Sequence, residues 1–277
     1  MKISVFYDHL REAAQQNGTS IEEMFQKAAS FGIKGIEIED KAFMEDQNKI
    51  CNMLEKNDME VSCIYGFYDY SHGNDLQRGF DLIDLAQKLS IKKIMIIPGF
   101  LTDKEWKISF LKNRCVKKMI TSMNILSKYA GQHDVQMVLE DFDDSPAYYK
   151  DAEGLKFFLS KVEGLKCAFD TGNFLYSEED SLEVLPVFLN QIGHVHCKDR
   201  TFEIMPGQTP KATMKGRNMY SCPVGSGCIK MKEIVESILA SGYDDYFAIE
   251  HFGSCHQLED IEKSADWLNH IRKCNHS

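Results

Sequence analysis

An eightfold alternation of short apolar runs with longer amphipathic stretches is the strongest constraint on what this chain can fold into. The runs read as strands at residues 3–7, 35–39, 61–65, 93–97, 136–140, 166–170, 194–197 and 246–250. They are nearly continuous in apolar residues, as strands buried on both faces are. Helix-like sequence lies between consecutive runs, which makes neighbouring strands parallel. Eight such units favour a closed (β/α)8 barrel over an open doubly wound sheet, and 277 residues is near the ~250 typical of one barrel. We therefore expect an α/β fold with a single barrel domain over residues 1–277.

Local signals place the connections. Ser20-x-x-Glu23 forms a capping-box pattern, so a helix is expected from about residue 20. A helical stretch should run to about residue 57. A polar loop through His72-Gly73-Asn74-Asp75 precedes a helix to about residue 89, and Pro98-Gly99 stops the fourth strand. A long amphipathic helix is expected over 110–131, and a last helix should end near residue 273. One connection is unusually long. Residues 199–224, rich in Gly, Pro, Lys and Met, follow the seventh strand and are expected to lie over the barrel mouth as a lid.

Charge and composition narrow the classes. A net charge of −10 gives no overall attraction for phosphate backbones, so nucleic acid is not the expected partner. No run approaches the ~18 apolar residues of a membrane span. The N-terminal run is too short and too quickly polar for a signal peptide. The nine cysteines include no CxxC pair, and several sit inside apolar runs, where Cys behaves as a small hydrophobe. Reduced thiols in a cytoplasmic protein are the expectation. Apolar surface on the outer helices would suit a homo-oligomer.

The chemistry sits at strand ends. Glu140 follows Met137-Val138-Leu139, Asp170 follows Cys167-Ala168-Phe169, His196 follows His194-Val195, and Glu250 follows Phe247-Ala248-Ile249. In a parallel barrel all strand C-termini share one rim, so residues far apart in sequence converge there. Three carboxylates and an imidazole describe a divalent metal site. Carboxylate-rich ligation suits manganese or magnesium, and the imidazole tolerates zinc or cobalt. His194 shares a strand face with His196, one layer deeper, and reads either as a substrate contact or as a satisfied core histidine. Lys198 continues that face, placed either to stabilise negative charge on a substrate oxygen or to pair with a rim carboxylate. Glu39 and His72 are candidates either to hydrogen-bond substrate hydroxyls or to be rim residues facing water. Asp141, Asp143 and Asp144 read as a solvated loop. Gly225-Ser226-Gly227 is either an anion-binding turn or a tight turn alone. Arg200 and Arg217 are the nearby candidates for a substrate phosphate.

Gly35-Ile36-Glu37-Ile38, Leu139-Glu140, Phe169-Asp170-Thr171-Gly172-Asn173, His194-Val195-His196-Cys197-Lys198-Asp199, Val224-Gly225-Ser226-Gly227 and Ile249-Glu250 together resemble the xylose isomerase-like barrel superfamily, over nearly the whole chain. The superfamily includes ketose 3-epimerases, hydroxypyruvate isomerases, inosose isomerases and dehydratases, and the endonuclease IV branch. The resemblance implies that Glu140, Asp170, His196 and Glu250 are metal ligands and that Glu140 and Glu250 shuttle protons. It implies an isomerase or epimerase acting on a small sugar or keto-sugar through an enediolate. The same groups would suit a dehydratase of a keto-inositol or keto-acid, and a sugar-binding barrel without chemistry is a reading from another class. The endonuclease branch needs extra histidines. Asn173, Ile97 and Tyr220-Ser221-Cys222-Pro223 stand where they would be. Asn173 is left free to contact substrate.

Overall fold

Each short apolar run forms a strand, and the strands close on themselves. The computed structural model describes residues 1–73 and 75–274, so Asn74 of the polar loop lies outside the described residues. In chain order the strands are β1 (Lys2–Phe6), β2 (Gly35–Glu39), β3 (Glu60–Phe67), β4 (Lys93–Ile97), β5 (Gln136–Glu140), β6 (Lys166–Asp170), β7 (Ile192–Cys197), β8 (Asp199–Thr201), β9 (Lys211–Ala212), β10 (Asn218–Cys222) and β11 (Tyr246–Ile249). Eight of them form a closed parallel barrel in the order β1-β11-β7-β6-β5-β4-β3-β2. β1 closes the ring by pairing with both β11 and β2. This is the (β/α)8 barrel expected from the alternation.

Burial explains the composition of the strands. Every residue of β4 is buried, because one face meets the barrel interior and the other meets the helices outside. The helix Ser109–Gln132 shows the complementary pattern. It buries Cys115, Val116, Met119, Met123, Leu126 and Ala130, spaced three and four apart along one face. None of the nine cysteines forms a disulfide. No described helix is long and apolar enough to cross a membrane.

Local departures from the expected pattern have local causes. Tyr7 begins a helix, Tyr7–Asn17, rather than ending a strand. Its buried stripe of Tyr7, Leu10, Ala13 and Ala14 is interrupted by polar residues, which hid it, and Gly18 ends it in the left-handed conformation at φ 63°. The stretch after β2 is two helices, Asp40–Glu45 and Gln47–Lys56, parted at Asp46. Ser20 caps the helix Ile21–Ser30 by accepting from the Glu23 N–H at 3.2 Å. A complete capping box forms at Thr102 and Glu105.

The long connection after β7 has structure of its own. β8, β10 and β9 form a three-stranded antiparallel sheet in that order. The Gly225-Ser226-Gly227 turn does hold an anion, and that anion belongs to the chain. The N–H groups of Gly225 and Gly227 both donate to Asp199 Oδ2 at 2.9 Å. This ties the start of the small sheet to the segment that follows it.

Candidate active site

Strand register assembles the candidate ligands. Asp170 on β6 is paired with His196 on β7, so the two stand at one height on the C-terminal rim. Glu140 ends β5, and Glu250 directly follows β11. The four side chains are buried and offer ligand atoms that all lie within 4.8 Å of one another. His196 Nδ1 is 2.9 Å from Glu140 Oε2, 3.5 Å from Glu250 Oε2 and 3.8 Å from Asp170 Oδ2.

These residues fit a divalent cation. Asp170 Oδ1 accepts the N–H groups of Gly172 and Asn173 at 2.7 and 2.8 Å, while Asp170 Oδ2 is buried without a hydrogen-bond partner. Glu250 Oε2 is buried and unpartnered in the same way. Buried carboxylate oxygens without a hydrogen bond are costly, and with Lys198 3.4 Å from Asp170 Oδ2 one monovalent cation is shared among three carboxylates, which suits an added divalent charge. Burial pushes the Asp170 carboxyl up to about 7, with Glu250 adding to the rise and Lys198 and His196 opposing it. Burial also raises Glu140, against the pull of His196. A divalent charge at this point favours the ionised forms of all three carboxylates.

A further layer of charge lies beneath. Glu37, fully buried on β2, has both oxygens 3.2 Å from His196 Nε2, and its Oε2 lies 2.7 Å from His194 Nε2. Burial alone would raise Glu37. The imidazoles of His196 and His194 outweigh it and hold the carboxyl well below the usual range. His194 is pulled down to about 4 by burial, opposed by Glu37 and helped by Lys93, so it is neutral near pH 7. Lys93 Nζ approaches His194 Nδ1 at 3.4 Å and pairs with Asp245 at 2.7 Å. A polar relay therefore runs up the barrel from Asp245 through Lys93, His194 and Glu37 to His196. Neither Glu37 nor Lys93 stands out as functional in its local sequence. The available signal was one carboxylate inside Gly35-Ile36-Glu37-Ile38.

Above the candidate ligands is a cavity of about 590 Å³. Glu140, Glu250, Lys198, Asn173 and Glu39 line it, as do the aromatic rings of Phe6, Tyr65, Phe67, Phe142 and Phe252. Lys198 makes the expected pairing with a rim carboxylate, Glu250, and is also placed at the cavity. It lies 3.4 Å from Asp170 Oδ2 and donates to Asn173 Oδ1 at 2.6 Å.

Other residues are placed differently from their sequence expectation. His194 lies below the site and is not among the lining residues. His72 is also outside the lining, held between Asp69 at 2.8 Å and Glu105 at 3.0 Å. Its loop turns outward towards the helix Asp103–Lys107, which takes it away from the candidate substrate position. Arg217 pairs with Glu178 at 2.5 Å and does not line the cavity. Asp141 and Asp143 are buried rather than solvated, while Asp144 is exposed as expected. Asp143 pairs with Lys211 at 2.6 Å and Arg200 at 3.5 Å, and with Lys198 these cations keep it ionised despite burial.

Known proteins share this arrangement of strands. An inosose dehydratase of Clostridium perfringens (strain 13 / Type A) is 23% identical over 267 residues, 88% of this chain and 85% of that protein. An inosose dehydratase of Bacillus licheniformis is 22% identical over 157 residues, a match spanning 54% of this chain and about half (48%) of that protein. Among solved structures, the IOLI protein with a bound zinc atom superposes with a TM-score of 0.75 at 14% identity, covering 98% of each chain. D-psicose 3-epimerase with D-tagatose, from Clostridium cellulolyticum H10, gives a TM-score of 0.71 at 16% identity, covering 99% of each chain. At these identities the structural likenesses speak for the fold. A family model described as xylose isomerase-like TIM barrel matches residues 25–271. The chain belongs to the xylose isomerase-like TIM barrel family.

Proposed function

We propose that this protein is a divalent-metal-dependent isomerase or epimerase of a small keto-sugar, with Glu140 and Glu250 as its acid–base pair. One observation carries this. Of the four candidate ligands, Glu140 and Glu250 are the two that also line the cavity, and they stand apart around the ring with β6 and β7 between their strands. Two carboxylates facing one substrate from different sides suit proton removal and proton return.

A divalent ion held by Glu140, Asp170, His196 and Glu250 would supply Lewis acidity at the substrate carbonyl and a template for adjacent oxygens. The chain's own groups do the rest. One glutamate takes the proton from the carbon beside the carbonyl, and the electron pair moves onto the carbonyl oxygen to give an enediolate. The Lys198 ammonium faces the cavity and stabilises that charge. The other glutamate returns a proton, to the opposite face of the same carbon for epimerisation or to the neighbouring carbon for isomerisation. Asn173 and Glu39 face the cavity and are assigned to substrate hydroxyls. The aromatic rings of the wall exclude water from the enediolate.

A second reading is favoured by the names of the sequence relatives. An enediolate with a β-hydroxyl can expel it, so the same groups suit dehydration of a keto-inositol. One experiment separates the two. The purified protein, supplied with manganese, is incubated in deuterated water with candidate ketoses and 2-keto-inositols, and the products are weighed by mass spectrometry. Deuterium entering carbon with the skeleton intact supports isomerase or epimerase. Loss of the mass of one water supports dehydratase. If no member of either set exchanges or dehydrates, both readings fail.

A further inference from the structure

The small sheet brings two cations to the cavity that proton transfer does not use. Arg200 on β8 and Lys211 on β9 both line it. The Arg200 guanidinium is buried. It donates to the Phe252 carbonyl at 3.3 Å and lies 3.5 Å from Asp143 Oδ2, and its Nε–H has no hydrogen-bond partner. Lys211 Nζ meets the other Asp143 oxygen at 2.6 Å. Asp143 is thus one carboxylate shared between two cations.

A divalent ion and Lys198 would balance Glu140, Asp170 and Glu250, which leaves Arg200 and Lys211 sharing the single buried carboxylate of Asp143; Asp144 also lines the cavity but is exposed to solvent. Across the cavity the wall carries the opposite sign. Asp8 and Glu39 line it, and Asp8 accepts from the Tyr65 hydroxyl at 2.9 Å. That wall suits hydroxyl donors and repels anions. A guanidinium buried with an idle donor is costly if it serves only to anchor the lid. Its planar fork matches the paired oxygens of a carboxylate or phosphate.

We infer that the substrate carries a terminal oxyanion, a phosphate or a carboxylate, held by Arg200 and Lys211 under the lid sheet, with its hydroxyl-bearing end towards Asp8 and Glu39. This deepens the proton-transfer proposal and rests on it for the carbon skeleton of the substrate.

The test uses the metal-loaded full chain and three probes: D-fructose, D-fructose 6-phosphate and 2-keto-D-gluconate. Binding is measured by calorimetry, and deuterium exchange is followed in parallel. At least one anionic probe should bind about tenfold or more tighter than D-fructose, the scale of a charged hydrogen bond. Which of the two it is identifies phosphate or carboxylate. Arg200→Gln and Lys211→Met should each remove most of that preference and leave D-fructose affinity within about twofold. Lys211 is partly exposed, so its substitution tests the idea even if the Arg200 variant folds poorly. Equal binding of all three probes, no binding of either anionic probe, or a preference unmoved by both variants would overturn the inference. Anion preference without exchange in any probe would keep it and sink the proton-transfer proposal. Exchange of neutral and anionic probes alike, untouched by the variants, would do the reverse.

Discussion

Glu37 and His196 meet across 159 positions of chain: both Glu37 oxygens lie 3.2 Å from His196 Nε2, and His196 Nδ1 faces Glu140 at 2.9 Å. The ring has one edge for each carboxylate. For Nδ1 to serve as a ligand, the ring proton must sit on Nε2, where Glu37 accepts it. In that case Glu37 would set the tautomer and the orientation, as carboxylates behind metal-binding histidines do.

Glu37→Gln should lower divalent-metal affinity about 10–100-fold, measured by competition with a chromophoric chelator. A glutamine oxygen can accept from one imidazole but not match both. Glu37→Ala removes the partner of two buried histidines and should cost about 3–5 kcal/mol in chemical denaturation. Unchanged metal affinity in the glutamine variant would remove Glu37 from the site.

Glu140→Gln and Glu250→Gln should each cut deuterium exchange into substrate by at least about 100-fold, the lower end of acid–base contributions. Both variants should remain folded by circular dichroism. Each removes one of several crowded carboxylates, so neither fold depends on the charge lost. Exchange near the wild-type rate in both single variants would end the acid–base assignment.

The metal-free protein should lose stability as pH rises from the ordinary carboxylate range to about 7, where the folded Asp170 titrates. The sign follows from linkage. A carboxyl with a raised folded pKa binds more protons in the folded state across that window, so unfolding becomes easier as pH increases. Metal binding should show the opposite trend, because its ligands must be deprotonated. The gain in Tm on adding manganese or zinc should therefore be larger at pH 8 than at pH 5.5. A gain that shrinks with rising pH would contradict it.

Gly227→Ala should destabilise the protein by about 1–3 kcal/mol, as overpacking does. An added Cβ would sit 2.2 Å from Asp199 Oδ1 and 2.3 Å from the Arg200 carbonyl, neither of which can move freely. The tie between the glycine turn and Asp199 would loosen, and limited proteolysis should cut first within residues 199–224. A melting curve and cleavage pattern equal to wild type would show that the small sheet does not depend on this turn.

Periodicity and strand-end chemistry were legible in the sequence because both are local. A strand buried on both faces must be an apolar run whatever its partners are, so the eight strands and the closed barrel follow from residues read a few at a time. The convergence of Glu140, Asp170, His196 and Glu250 also follows, since parallel strands share a rim. Tertiary structure alone decided the rest. Glu37 gains its role from histidines more than 150 positions away. Lys93 gains its role from Asp245 and His194. His72 and Glu39 read alike as rim residues, and the course of one loop sent His72 to Glu105 while Glu39 stayed at the cavity. Asp143 read as a solvated acid and is buried because Arg200 and Lys211 fold over it. A charged side chain is buried or exposed according to whether an opposite charge reaches it, and for these residues the partner comes from a distant part of the chain.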